Sequence, residues 1–152
     1  MAATGLDVFD KTLQTTNIWL DEIAGAIGPD RQNAWHALGA VLRALRDRLP
    51  LDLAAHLGAQ LPLLVRGLYY DQWRPGTQPQ RLRSRAEFLD RIAEGLAGTR
   101  PLNVDATTQA VLATVSRHVT PGQMRKVIDA LPADLRGLWP ETVTARRSDE
   151  AA

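Results

Sequence analysis

The chain of 152 residues has no cysteine, which excludes disulfides, thiolate nucleophiles and cysteine-ligated zinc. Aromatics are sparse at 5%, and only Lys11 and Lys126 among the 18 basic residues are not arginine. No stretch approaches the roughly 20 apolar residues that span a bilayer. The N-terminus, "MAATGLDVFDK", carries Asp7 and Asp10 where a secretory leader would need an apolar run. A cytoplasmic location away from membranes is the expectation. Also missing are the alternation and the Asn-Gly or Asp-Gly turns of strands and hairpins, a nucleophile elbow, a glycine-rich phosphate loop and a dinucleotide fingerprint. The chain is therefore expected to be all-α and not an enzyme, with no cofactor; a small enzyme of unassigned reaction stands as an alternative.

What is present is helical periodicity and enough length for one real core. Leu6, Phe9, Leu13, Leu20, Ile23 and Ile27 predict one buried face of a first helix, stopped at "GPD" 28–30. Asp30 predicts the cap of a second helix, with Trp35, Leu38, Val41, Leu42, Leu45 and Leu49 inward and Arg43, Arg46, Asp47 and Arg48 mostly outward. Pro50 closes that helix and opens a third. Ser84 and Glu87 have capping-box spacing ahead of Phe88, Leu89, Ile92 and Leu96, and Gly98 ends that helix. Asp105 predicts the cap of the next helix, and Thr120 with Pro121 that of the one after.

The phrase "LPLLVRGLYY" at 61–70 returns as "LPADLRGLWP" at 131–140. Sliding 37–70 over 107–140 without a gap gives eight identities in 34 pairs, and "WLDEIA" at 19–24 matches "FLDRIA" at 88–93. The chain reads as one helical unit written twice: 1–73 the first unit, 74–83 a basic Pro/Gly linker, 84–140 the second unit and 141–152 a disordered tail. In each phrase the proline opens a short helix, and Gly67 or Gly137 is expected to end it at positive φ with Leu68 or Leu138 folded back over the cap. Arg66 and Arg136 then stand at a helix end that favours a cation.

The stretches "GLDVFDKTLQTTNIWLDEI", "AWHALGAVLRALRDRLP", "AAHLGAQLPLLVRGLYYDQW" and "LPADLRGLWP" resemble the bacterial proteins of domain of unknown function 2267. The resemblance runs from Gly5 to Pro140. It implies a small, all-helical cytoplasmic protein associated with general stress gene sets, and brings no established reaction, cofactor or catalytic residue.

Candidate sites are correspondingly few. Asp52 and His56, at i, i+4, could supply two metal ligands, but zinc needs three or four, and neither His36 nor His118 belongs to a ligand motif. Tyr69, Tyr70 and Trp73 form an aromatic cluster suited either to a protein partner or to packing across the junction of the two units. Arg66 and Arg136, placed alike, are candidates for a paired recognition site. In the linker, Arg74, Arg81, Arg83 and Arg85 precede the first acid, Glu87, and could bind phosphate groups; solvated charge is the plainer reading.

Segment charges are modest: −2 for 1–73, +4 for 74–140 and −1 beyond. They argue against nucleic acid as an obligate partner. The expected role is a non-enzymatic interaction module with a protein partner or a second copy of itself, the alternative being nucleic-acid or phosphate-ligand binding through the linker.

Overall fold

The computed structural model describes residues 4–99 and 102–144, and among these every regular element is helical. The first helix, α1 (Asp7–Ile27), stops at Gly28, whose φ of 126° relieves the turn into α2 (Arg31–Arg48). Asp30 caps α2 as expected, accepting from the amides of Gln32 and Asn33. Pro50 leads into α3 (Leu51–Ala59), and Pro62 into α4 (Leu63–Tyr70). After a 3-10 turn at Pro75–Thr77 come α5 (Arg85–Gly95), α6 (Val104–His118), α7 (Pro121–Asp129) and α8 (Ala133–Arg136).

The axis of this arrangement is α2, which packs against α1, α4, α5 and α6. Its burial goes beyond an amphipathic stripe. Ala34, Ala37, Leu38, Gly39, Ala40, Val41, Leu42, Ala44 and Leu45 are all covered, and the small residues among them let neighbouring helices approach closely. Arg46, expected outside, is 3% exposed. Its position explains this: it follows Leu38 and Leu42 on the same face, so a register that buries them takes Arg46 in as well.

Three local expectations need correction. The buried face of α1 begins only at Thr16, continuing through Trp19, Leu20 and Ile23, whereas Leu6, Phe9 and Leu13 lie exposed: the first turns of this 21-residue helix lean on the start of α4 through Thr12 and leave that side open. Asn103, not Asp105, caps α6, since its side chain accepts from the Ala106 amide. Of the segment expected as a disordered tail, 141–144 form a further helical turn with Val143 against the core, and 145–152 lie outside the described residues.

The repeated phrase starts alike in both places. Pro62 and Pro132 adopt φ, ψ of −57°, 153° and −55°, 148°, and each opens a helix that buries Val65 or Leu135. The exits differ, and neither glycine has positive φ. Gly67 lies inside α4, which continues until Tyr69 is buried; Gly137, at φ −68°, follows the last residue of α8. Pro140 accounts for the earlier stop, because it disfavours the helical conformation at Trp139 and offers no amide of its own. Leu68 accordingly packs from a helix flank, not over a cap. Where the chain does adopt a left-handed residue is Gln72, at φ 60°, in a turn closed by the Trp73 amide on the Tyr70 carbonyl at 3.2 Å.

A Cβ at Gly67 would meet nothing within 4 Å. Gly67→Ala should therefore stabilise the fold by about 0.5 to 1 kcal/mol, as expected for removing a glycine from a helix interior, and urea unfolding would register it as a raised midpoint. Gly58→Ala should act oppositely, because its Cβ would lie close to the Tyr70 ring.

Candidate functional site

The linker docks on the end of α2, and Arg46 organises the meeting point. Its guanidinium donates to the carbonyls of Tyr69 at 2.7 Å and Asp71 at 2.9 Å, the groups that the end of α4 leaves without helical partners. Asp47 balances the charge at 2.9 Å and also faces Arg91 of α5 at 3.6 Å. Gln78 completes the seam: its side-chain amide donates to the carbonyls of Arg46 and Leu49, and its oxygen accepts from the Trp73 indole. Segment 74–83 is thus fastened at its middle and again at Leu82, which is buried and whose carbonyl accepts from Arg48 at 3.0 Å.

The aromatic cluster belongs to this junction. Tyr69 is completely buried, and its hydroxyl donates to the Ala54 carbonyl at 2.6 Å; burial holds the phenol protonated far above its ordinary range. A ring so enclosed is unavailable to a partner. Tyr70 and Trp73 are half-buried, tilted against each other at 5.3 Å, with the Arg46 guanidinium 6.0 Å from the Trp73 ring. Their polar contacts run to Ala54 and Ala55 of α3 and to Gln78 of the linker, within the first 83 residues.

Arg66 and Arg136 do matching work. Arg66 donates to the carbonyls of Gly58, Ala59 and Leu61, and Arg136 to those of Asp129 and Leu131, positions that correspond to Ala59 and Leu61 at the same sequence offset. The cation lies at the end of the helix before its own, α3 or α7, where unpaired carbonyls and the negative end of the dipole meet it. These guanidinium groups are occupied within the chain.

Of the linker arginines, Arg85 is fixed: its side chain forms both hydrogen bonds to Asp105, at 2.7 and 2.8 Å, and its amide donates to Asp134. Those bonds, with one from Gln109, hold the Asp105 carboxyl below the usual range. Arg74, Arg81 and Arg83 are exposed. Arg48, half-buried beside Arg83, is held below its ordinary pKa by burial and then by that neighbouring charge.

His118 stacks on buried Trp19 at 5.0 Å and lies 3.0 Å from Glu22, which also receives Arg117, so the cluster joins α6 to α1. His36 and His56 are exposed, and among the described residues no three metal-ligating side chains gather. Nor is any described helix long and apolar enough to cross a membrane.

Part of what the sequence placed in the core is instead surface. Leu6 and, on α1, Phe9 and Leu13 stand exposed, and so do Val8 and, at the start of α4, Leu63 and Leu64. The Leu64 amide donates to Thr12 at 3.2 Å and ties the two helices. Between them opens a cavity of about 350 Å³, lined by Val8, Lys11, Thr12, Leu61 and Leu63. No local signal set Leu63 and Leu64 apart, since adjacent apolar pairs such as Val41 and Leu42 are both buried in this chain.

A family described as Uncharacterized conserved protein (DUF2267) matches residues 16–138. No curated protein matches the chain.

Two measurements check the junction and its flank. Arg46→Met should destabilise by about 3 kcal/mol in chemical unfolding, since it strands buried carbonyls and Asp47 together. In an NMR titration the Asp105 carboxyl should ionise below the usual range and move up in Arg85→Gln. A depressed carboxyl contributes stability at neutral pH that disappears as pH falls through the lowered value, so this contribution should fade only in acid and be absent from the variant.

Proposed function

The chain belongs to the DUF2267 family, and from that premise we propose that it is a non-enzymatic interaction module, built by internal duplication, whose first unit has kept an apolar docking face. Correspondence between the halves supports the duplication. Helices α3 and α7 are nine residues each, Pro62 and Pro132 open the following helices alike, Arg66 and Arg136 close α3 and α7 alike, and the stripes Val41, Leu42, Leu57, Leu61 and Val65 and Val111, Leu112, Val127, Leu131 and Leu135 are buried in both. A cytoplasmic setting and a stress-associated role, which the family resemblance implies, are part of the same proposal.

The observation that carries the docking face is a difference between otherwise matched positions. Leu63 and Leu64 correspond to Ala133 and Asp134, and all four are exposed. The fold thus accepts alanine and aspartate there, and the leucines are not required by packing. Helix α1 departs in the same way: it is 21 residues long against 11 for α5, and its additional N-terminal turns present Leu6, Val8, Phe9 and Leu13. Exposed apolar surface that the core does not need is a mark of an interaction site.

A second reading has one observation in its favour, the adjacent Arg48 and Arg83 at the linker, which with Arg81 could receive a phosphate group. Such binding would weaken steeply with salt, and apolar docking would not.

The test is a pull-down with tagged full-length protein against Leu63→Ala/Leu64→Asp, which installs the residues of the matching segment. The wild type should retain protein partners, and the double variant less than about a tenth of them at an unchanged melting temperature. Equal capture by the two proteins, or none by the wild type, overturns the reading.

A further inference from the structure

We infer that the occupant of this face is a second copy of the chain, paired through the exposed start of α1; the inference rests on the docking face proposed above and names its partner. Leu6, Phe9, Leu13, Thr16, Leu20, Ile23 and Ile27 follow one another at alternating steps of three and four, the spacing of a helix seam that receives another helix. The chain covers Thr16, Leu20 and Ile23 with its own helices and leaves Leu6, Phe9 and Leu13 open. A seam half used and half free calls for a helix of similar spacing, and the same helix of another copy supplies one.

Area and symmetry agree. Leu6, Phe9 and Leu13, with Leu64 tied to the same helix through Thr12, are each 39 to 51% exposed. With roughly 150 to 200 Å² for a side chain of this size, this open apolar strip amounts to about 300 Å² per copy. Two strips give about 600 Å², and since apolar atoms make up roughly 60% of an interface the whole contact comes to about 1,000 Å², the size of a weak, specific interface. A two-fold axis sets the same strip against itself, so apolar surface meets apolar surface on both sides and the contact closes at two copies.

Analytical ultracentrifugation of the full chain at about 1 to 100 µM tests this. The wild type should sediment increasingly as a species of twice the 16.7 kDa chain mass. Phe9→Ser/Leu13→Ser should weaken self-association at least about tenfold, and Leu64→Asp, which the fold accepts at the matching position, should weaken it in the same direction with helical circular dichroism unchanged. A wild type that stays monomeric over the whole range overturns the second copy as occupant, while capture of a different protein in the pull-down would still uphold the docking face. A dimer that both variants leave intact overturns the assignment of the interface to α1 and α4.

Discussion

A buried guanidinium holds the junction of this molecule together. Near its end α4 carries Tyr69 into the core, and the Tyr69 carbonyl therefore points where water cannot reach it. Arg46 answers from the neighbouring helix: it is long enough to reach two carbonyls and stays charged where a lysine would lose its proton more readily. Asp47 then becomes necessary as a counter-charge, and its contact with Arg91 ties α5 to the same point. From this follow the docked linker, the aromatic packing and the placement of the second half.

The same economy governs the helix ends elsewhere. Arg66 and Arg136 each close the helix preceding their own, so the bend at Leu-Pro is sealed by a side chain that arrives one turn later. Where α3 meets α7, Gln60 exchanges hydrogen bonds with Thr120 and spans the two halves at their polar turns. Arg66 and Arg136 thus satisfy backbone groups inside the chain, while Arg74, Arg81 and Arg83 stay exposed. On the proposed reading the second half performs the structural task alone, and the first half performs it while presenting additional leucines, a phenylalanine and a valine.

Much of the fold was legible in the sequence because its signals are local. The caps at Asp30, Ser84 and Thr120, the helix openings after Pro50 and Pro62 and the alignment of the two phrases all depend on residues within a turn of one another. Reading failed where local chemistry allowed two outcomes. Glycine can end a helix or lie within one, and α4 continues through Gly67 because burying Tyr69 outweighs the cost of an interior glycine. Apolar spacing along α1 predicted a buried face over its whole length, but a stripe on a helix says nothing of where its neighbours stop.

The sequence by itself therefore determined the class of fold, the order of its helices, most of their boundaries and the correspondence of the two phrases, since these follow from backbone sterics and helical periodicity. Only the tertiary structure decided that Arg46 is buried, that Arg66, Arg136 and Arg85 are committed to partners inside the chain, and that Leu6, Phe9, Leu13, Leu63 and Leu64 remain outside. Exposure is a property of what else occupies the neighbourhood. For these residues the neighbours come from segments distant along the chain, and their meeting is fixed by packing around α2, which no stretch of sequence encodes alone.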